Sequence, residues 1–346
     1  MTEQRIAVLG SGANGASIGA DLIRAGLDVT LIEQWPAHVE AMRARGLTIE
    51  MPEETVHVQP NVLHLCEVAE LKHRFDVVLL LMKAYDTRWA TQLIAPYLAE
   101  DGVIAGVQNG MTALDIADVV GAGRTVPTVI EISSTMYDPG IVHRHSGPAR
   151  SWFAAGSLDQ DDRTGTQQGR VARILQYSGT VETVDDILAT KWMKLVSNCT
   201  TLVTTAALGL PMIDALEAPG MREVMVRSGQ EALDVGRALG HPILPIFGLR
   251  PEDVAAPESV VDTLLDTLYR GFVLPNTTTT VLQDWTKGRH SEVDDLNGHV
   301  VAEGARLGVP TPVNAVVVEL AHRIERGELS RSPANLAILR DALTRS

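Results

Sequence analysis

The chain has 346 residues, 45% of them apolar, enough for two domains with a sizeable core. Its formal net charge of −14 and pI near 5.1 argue against nucleic acid and anionic membrane as partners, and an anionic substrate would need locally placed cations. The two cysteines, Cys66 and Cys199, lie far apart without metal-ligand spacing. Neither a disulfide framework nor a metal site is therefore expected, and a reducing cytoplasm fits; no signal peptide and no membrane span is read.

The N-terminus reads as strand, glycine loop, helix, strand and acid. Ile6 to Leu9 are apolar and partly β-branched, as in a strand buried on both faces. Gly10, Gly12 and Gly15 follow with Gly-x-Gly-x-x-Gly spacing. The first permits the tight turn, the second lets the backbone approach a pyrophosphate, and the third lets a helix pack on the sheet. That helix is expected from Ala13 to Arg24, with Gly26 closing it. The loop residues Gly10, Ser11, Gly12, Ala13, Asn14 and Gly15 are candidate cofactor contacts through the helix N-terminus. Val29 to Ile32 form the next strand and end in Glu33, where a dinucleotide fold places the acid that holds the adenosine ribose. No Arg or Lys follows Glu33 directly, so NAD is favoured and NADP is the alternative. Arg43 and Arg45 are read as decorating a helix.

Pro36 to Arg45 reads as a helix closed by Gly46, then Leu47 to Met51 and Val56 to Gln59 as short strands. Phe75 to Met82 is a buried strand running into Lys83; Thr87 to Leu98 is expected to be helical; Gly102 to Val107 is a core strand ending in Gln108-Asn109-Gly110. Alternating strand and helix make this half a doubly wound parallel sheet, whose ligands sit at the carboxyl ends of the strands. Lys83 and Asn109 occupy such ends, although a solvated lysine and a turn asparagine are the plain alternatives. Thr125 to Ile132 and Trp152 to Ala155 extend the pattern. His143 and His145 share a strand face, with a structural role favoured over ligation. Ser157 to Gly165 is read as a loop, Gln167 to Tyr177 as a helix and Thr180 to Thr183 as a strand.

From Asp185 the pattern turns helical, with breaks at Gly209, Pro211, Gly240 and Pro245. Domains are drawn at 1–184, dinucleotide-binding, and 185–346, all-α and substrate-binding. On the first helix of the second half, Trp192, Leu195, Cys199, Leu202 and Val203 form an apolar stripe. Lys194 and Asn198 lie one above the other on a neighbouring face, where they could bind and protonate a carbonyl oxygen or simply face solvent. Val293, Leu296, Val300 and Val301 make a later core face. Gly298 suggests close helix packing or simply a tolerated glycine, and Thr277 to Thr279 read as helix-surface filler. Trp192 and Trp285 are read as packing residues, and His290 as a surface or supporting residue.

Gly10-x-Gly12-x-x-Gly15, Lys83, Gln108-Asn109-Gly110, Lys194-Leu-Val-Ser-Asn-Cys199 and Leu282 through Gly298 come in the order of the ketopantoate reductase family, of the 6-phosphogluconate dehydrogenase-like superfamily, and the chain resembles it over nearly its whole length. The resemblance implies a Rossmann domain followed by an all-helical domain, with the active site in the cleft between them. It implies reduction of a 2-oxo acid to a 2-hydroxy acid by a reduced nicotinamide. Position by position, Lys194 matches the catalytic lysine and Asn198 a substrate-binding asparagine. Glu292 matches the acid that orients the site. Asn109 matches the asparagine of the cofactor and substrate cleft, and Lys83 the strand-end lysine. Thr280 stands where the family has a serine on the substrate carboxylate. Three positions depart. Leu202 replaces a second substrate-binding asparagine, Glu131 stands where a small or neutral residue is expected near the cleft, and Glu33 contrasts with the NADPH use of well-known members. A bulkier or less polar 2-oxo acid is thus an equal candidate to ketopantoate. The expected partner is this small molecule, with a homodimer open. The alternatives are oxidation of another secondary alcohol, and a catalytically silent dinucleotide sensor.

Overall fold

The computed structural model describes residues 4–159 and 165–345; the part of the expected Ser157–Gly165 loop from 160 to 164 lies outside them. The chain divides into two compact units, Met1–Ile187 and Leu188–Ser346. No described helix is long and apolar enough to cross a membrane.

In the first unit β1 (Arg5–Leu9), α1 (Ala13–Arg24), β2 (Asp28–Glu33) and α2 (Pro36–Arg45) follow the sequence pattern closely. Then come β3 (Leu47–Glu50), β4 (Thr55–Val58), β5 (Asn61–His64), β6 (Phe75–Leu80), α3 (Thr87–Ile94), β7 (Leu98–Val107), α4 (Ala113–Val120) and β8 (Thr125–Glu131). The unit closes with β9 (Ser134–Thr135), β10 (Ile141–Arg144), β11 (Trp152–Ala155), α5 (Thr166–Leu175) and β12 (Thr180–Thr183). The main sheet runs β12-β11-β8-β7-β6-β1-β2-β5. From β5 to β8 every pairing is parallel, whereas β11 lies antiparallel to β8. The chain winds outward from β1 through β2 to β5, then returns to β6 and winds the other way. The order therefore reverses between β1 and β6, the place where such sheets open a crevice for ligands. Ile6, Ala7, Val8 and Leu9 are all buried, as a strand covered by helices on both faces must be.

Not all strands join that sheet. β3, β4, β9 and β10 make a second, four-stranded sheet in the order β4-β3-β10-β9. Its strands alternate, with Leu47 and Ile49 buried and Glu50 exposed, the signature of a sheet covered on one face. That face packs in one core with Ile18 and Leu22 of α1. Residues Gly15 to Leu22 are consequently all buried, Asp21 included. Arg144 of β10, wholly buried, meets the Asp21 carboxylate at 2.5 Å and donates to Ser151 Oγ and to the carbonyls of Ser146 and Ser178. One helix boundary also differs from the sequence reading. The helix expected to reach Leu98 stops at Ile94, because Pro96 turns the chain through Ala95–Tyr97. β5 and α4 were not expected; β5 is a four-residue edge strand whose Asn61-Val-Leu-His64 has no alternation to betray it.

The second unit is helical among its described residues: α6 (Ile187–Ala206), α7 (Met212–Glu217), α8 (Met221–Ala238), α9 (Val260–Gly271), α10 (Thr280–Thr286), α11 (His299–Leu307), α12 (Pro312–Glu325) and α13 (Asn335–Ala342). α6 is its axis. Gly229 and Gly236 of α8 lie two turns apart against it; a Cβ at either would sit 2.2 Å from Thr200 Oγ1 or 2.1 Å from Trp192 Nε1. Trp192 Nε1 donates to the Ala232 carbonyl at 2.9 Å, so the indole is a packing residue with its polar atom satisfied.

A buried polar network fixes α6 against its neighbours. Ser228 Oγ donates to the Cys199 carbonyl at 2.9 Å, and Asn297 Nδ2 donates to Asn314 Oδ1 at 2.8 Å. Glu231 accepts the first-turn amides of Val313 and Asn314 at 3.0 and 2.9 Å and so caps α12 from outside. Its burial pushes the carboxyl above the usual range, against the pull of those donors.

Two expectations are corrected here. Gly298 ends a π-helical turn, Asp294–Gly298, and the atoms nearest a Cβ there are the Val293 carbonyl oxygen at 3.3 Å and the Asp294 side chain at 3.4 Å. These contacts are local rather than to another helix, which agrees with a tolerated glycine and not with close helix packing. Thr277 and Thr279 are buried rather than surface filler. Thr277 Oγ1 accepts the Leu274 amide, and Thr279 caps α10.

Candidate functional site

The glycine loop follows β1. Gly10 has φ +94°, and a Cβ on it would lie 2.7 Å from Met82 N. A Cβ on Gly15 would lie 2.1 Å from the Gly10 carbonyl oxygen. Both glycines are required by close backbone contacts. Gly12 differs: a Cβ there meets nothing within 4 Å, so the space beside it is open. It is the N-cap of α1, no side chain caps that helix and no acid sits in its first turn. Ser11 Oγ is buried in the same loop without a hydrogen-bond partner. An open space, an uncapped helix end and an orphaned hydroxyl fit the diphosphate of a dinucleotide. Asn14 Oδ1 accepts from Ser134 Oγ at 2.5 Å, tying α1 to β9; the first-turn amides of Ala13, Asn14 and Gly15 are the ones a phosphate placed at this helix end would meet.

Glu33 ends β2, next to β1, and is buried. Its Oε1 accepts the Trp35 amide at 2.9 Å, which fixes the carboxylate at the strand end. Arg43 is engaged with Glu40, Glu67 and the Val62 carbonyl, and Arg45 with the Pro139 carbonyl. Lys83 and Asn109 are half-buried just past β6 and β7, so the loop, Lys83 and Asn109 follow three adjacent strands at one edge of the sheet. Gln108, buried between them, braces that edge. Its Nε2 donates to the Met82 carbonyl at 2.7 Å and to Thr87 Oγ1 at 2.9 Å, and its Oε1 accepts from Thr112. Glu131 ends β8 and is half-buried. His143 meets Glu50 at 3.0 Å, and no group of three or more His, Cys, Asp or Glu among the described residues could hold a metal.

His38, which sequence reasoning passed over, supports the loop from beneath. The Gly140 amide donates to Nδ1 at 2.9 Å, so Nε2 carries the proton and donates to the Ser11 carbonyl at 3.1 Å. Burial lowers its pKa to about 4. The folded protein thus holds a neutral ring, whereas the unfolded chain takes up a proton below the ordinary value near 6.5. Stability from this group is complete above pH ~6.5 and is lost as pH falls toward 4, by up to about 3 kcal/mol. Urea unfolding at pH 7, 5.5 and 4 should show this loss, and His38→Gln should flatten it; equal pH profiles for the two proteins would exclude the ring as its source.

In the second unit, Lys191, Lys194 and Asn198 lie on α6 at i, i+3 and i+7, along one stripe, and all three are buried. Lys194 is only 8% exposed, and its Nζ lies 5.0 Å from the centroid of the Phe247 ring. The surface alternative for Lys194 and Asn198 is therefore excluded. Lys191, one turn earlier, is pushed down to about 7 by burial; it is a second buried lysine that the sequence did not flag. Only five of the chain's 29 basic residues are lysines. Thr279 Oγ1 accepts the Leu282 amide and donates to the Leu202 carbonyl at 3.0 Å, anchoring the start of α10 to α6 one turn past Asn198. The neighbouring Thr280 hydroxyl is buried without a partner. Glu292 is buried where the π-helical turn begins, and Asn297 of that turn donates to the Cys199 carbonyl at 3.4 Å. The network thus ties the segments of Lys194, Asn198, Thr280 and Glu292 to one helix. Trp285 and Ser291 donate to Glu325, with exposed His290 3.0 Å from the same carboxylate, so these residues pack and brace.

Two family models match the chain. "Ketopantoate reductase PanE/ApbA" covers residues 6–157, and its C-terminal counterpart covers residues 186–325. A 2-dehydropantoate 2-reductase of Caulobacter vibrioides is 28% identical over 328 residues, covering 91% of this chain and 97% of that protein. A solved PanE/ApbA family ketopantoate reductase from Ralstonia eutropha JMP134 is 26% identical, with a TM-score of 0.77 over 94% of this chain and 99% of its own. D-mandelate dehydrogenase, solved with NADH and anilino(oxo)acetate, has the same fold, with a TM-score of 0.81 at 20% identity over 93% of this chain and 99% of that one.

Proposed function

Because this chain belongs to the ketopantoate reductase family, and is a nicotinamide-dependent oxidoreductase acting on CH–OH groups, we propose that it interconverts a 2-oxo acid and its 2-hydroxy acid, with Lys194 as the proton donor. The observation that carries this reading is the burial of Lys194 and Asn198 one turn apart on α6. A lysine and an asparagine are seldom hidden on a helix that has ample apolar residues to pack. A reduced nicotinamide, when bound, supplies the hydride. The Lys194 ammonium stabilises the alkoxide that develops on the carbonyl oxygen and gives it a proton. Asn198 orients that oxygen. The unpartnered Thr280 hydroxyl suits a substrate carboxylate oxygen, and Glu292 orients the groups around it. Leu202, half-buried one turn beyond Asn198, offers neither donor nor acceptor to a hydroxylated substrate tail. This favours a 2-oxo acid less polar than ketopantoate.

The cofactor proposed is NAD, held by the glycine loop, Glu33, Lys83 and Asn109. A fixed carboxylate at Glu33 accepts from the ribose hydroxyls and repels a 2′-phosphate, while Arg43 and Arg45 are already engaged. A panel of 2-oxo acids followed by nicotinamide absorbance tests both points. The expected result is turnover of apolar 2-oxo acids, with kcat/KM at least tenfold higher for NADH than for NADPH, ~1.4 kcal/mol. A tenfold preference for NADPH would refute the role given to Glu33.

A further inference from the structure

β2 and β5 run parallel, and Glu33 pairs with His64 at their carboxyl ends. β5 is the edge strand of the main sheet, so the groups around His64 lie beside the acid proposed to hold the ribose. Those groups form an ionic cluster. His64 Nε2 donates to Glu40 Oε1 at 2.6 Å, and the His64 amide donates to Glu67 Oε2 at 2.7 Å. Arg43 of α2 bridges the two carboxylates. Its Nη1 donates to Glu40 Oε1 at 3.2 Å, and its Nη2 donates to Glu67 Oε2 and, at 3.1 Å, to the Val62 carbonyl. Glu40 lies one turn before Arg43 on α2, whereas Glu67 comes from the 3₁₀ turn Leu65–Glu70 that follows β5. Both carboxylates are charged at neutral pH. The Arg43 guanidinium holds Glu67 below the ordinary carboxylate range, and the hydrogen bond from His64 does the same to Glu40.

Stability does not explain this cluster. Glu40 is exposed and Arg43 partly so, and ion pairs at such positions contribute little to folding. What the cluster does is place charge. Glu33, Glu40 and Glu67 bring three carboxylates to this edge of the sheet against one guanidinium, which is turned onto two of them. A strand-end acid suits the 2′-hydroxyl of NAD, whereas a nearby arginine is what accommodates a 2′-phosphate. Here the arginine is present and already neutralised.

We propose that Glu40 and Glu67 form a cofactor-selectivity lock: they hold Arg43 neutralised beside the Glu33 strand end and so keep out a nucleotide that carries a 2′-phosphate. This rests on the reading of Glu33 as the ribose acid, and it assigns part of the discrimination to a cluster outside the glycine loop and Glu33. A 2′-phosphate meets an edge with a surplus of negative charge. To recruit Arg43 it must first break two charge-assisted hydrogen bonds.

The test is equilibrium binding of NADH and NADPH to the full chain, read by nicotinamide fluorescence without substrate, so that turnover plays no part. Glu40→Gln and Glu67→Gln are combined. Glutamine at 67 can still accept the His64 amide in its capping position, so the turn is kept while the charge is removed. The double variant should bind NADPH at least about tenfold tighter than wild type, with NADH affinity within about threefold. Adding Arg43→Gln should remove most of that gain. Adenosine 2′,5′-bisphosphate and adenosine 5′-monophosphate, which differ by the 2′-phosphate alone, should show the same order by calorimetry. Should the double variant lose thermal stability, Glu40→Gln alone, at an exposed position, should give a smaller gain of the same sign. An NADPH-to-NADH affinity ratio that stays at the wild-type value in either folded variant overturns the proposal, and so does a gain that Arg43→Gln leaves intact. The two readings fail separately. If wild type binds NADPH about tenfold tighter than NADH, Glu33 does not exclude the 2′-phosphate and the lock has nothing to guard. If wild type prefers NADH and the double variant prefers it by the same factor, only the lock fails.

Discussion

Replacing Lys194 by methionine is expected to lower kcat by about a thousandfold while the protein stays folded and keeps its cofactor affinity. Two effects add to that figure. Loss of a general acid typically costs ~10²–10⁴ in rate, and loss of a cation beside a developing alkoxide costs ~10²–10³; one side chain performs both, so the effects overlap rather than multiply. Methionine is the informative replacement because the lysine stem is buried. Lys194 is 8% exposed, so alanine would also leave a hole, and a lower kcat would then mix packing with chemistry. The thioether fills the same channel without a charge. Steady-state kinetics decide the matter, with NADH titrated by fluorescence as the control. A kcat within threefold of wild type would remove Lys194 from the chemistry. A fall in kcat accompanied by an equal loss of NADH affinity would point to a damaged fold instead.

The first half of the chain was legible in unusual detail, and the reason is physical. A strand buried on both faces, glycines that the backbone itself demands at Gly10 and Gly15, and a helix closed by Gly26 are each written in local residue choice. What was not legible depends on contacts distant in sequence. The second sheet could not be separated from the first, because Leu47 to Glu50 reads as a strand whichever neighbour it pairs with. The burial of α1 on all sides, with Asp21 meeting Arg144 across 123 positions of chain, follows only once that sheet lies over it. The candidate site divides in the same way. Lys194, Asn198 and Glu292 were named from a motif, yet the apolar stripe on α6 placed the lysine on a flanking face. Periodicity alone does not say that the flanking face is covered too. His38 carried no signal of its own. A histidine on a short helix acquires meaning from the Ser11 carbonyl, which is not near in sequence.

The glycine loop offers the other large effect, because two of its glycines should fail in different ways. Gly15→Ala puts a methyl 2.1 Å from the Gly10 carbonyl oxygen, a backbone atom with no rotamer to escape into. The loop or α1 must shift, at a cost of ~1–3 kcal/mol by the usual scale of overpacking. Thermal stability should fall by several degrees, and cofactor affinity should fall with it, since the first-turn amides move. Gly12→Val meets no such obstacle. Its φ of −62° and ψ of −166° are extended backbone open to any residue, and a Cβ there has nothing within 4 Å. The variant should unfold at the wild-type temperature in the absence of cofactor. Its side chain nevertheless fills the space into which the uncapped end of α1 opens, so NADH affinity should drop at least a hundredfold, ~2.7 kcal/mol. Thermal scans with and without NADH read both effects, because a ligand that binds only the folded state raises the midpoint in proportion to its affinity. Wild type should gain stability from NADH, and Gly12→Val should gain almost none from an unchanged baseline. A Gly12→Val protein stabilised by NADH as strongly as wild type would mean that the diphosphate does not lie at the start of α1, and the first unit's part in the reaction would have to be sought at another strand end.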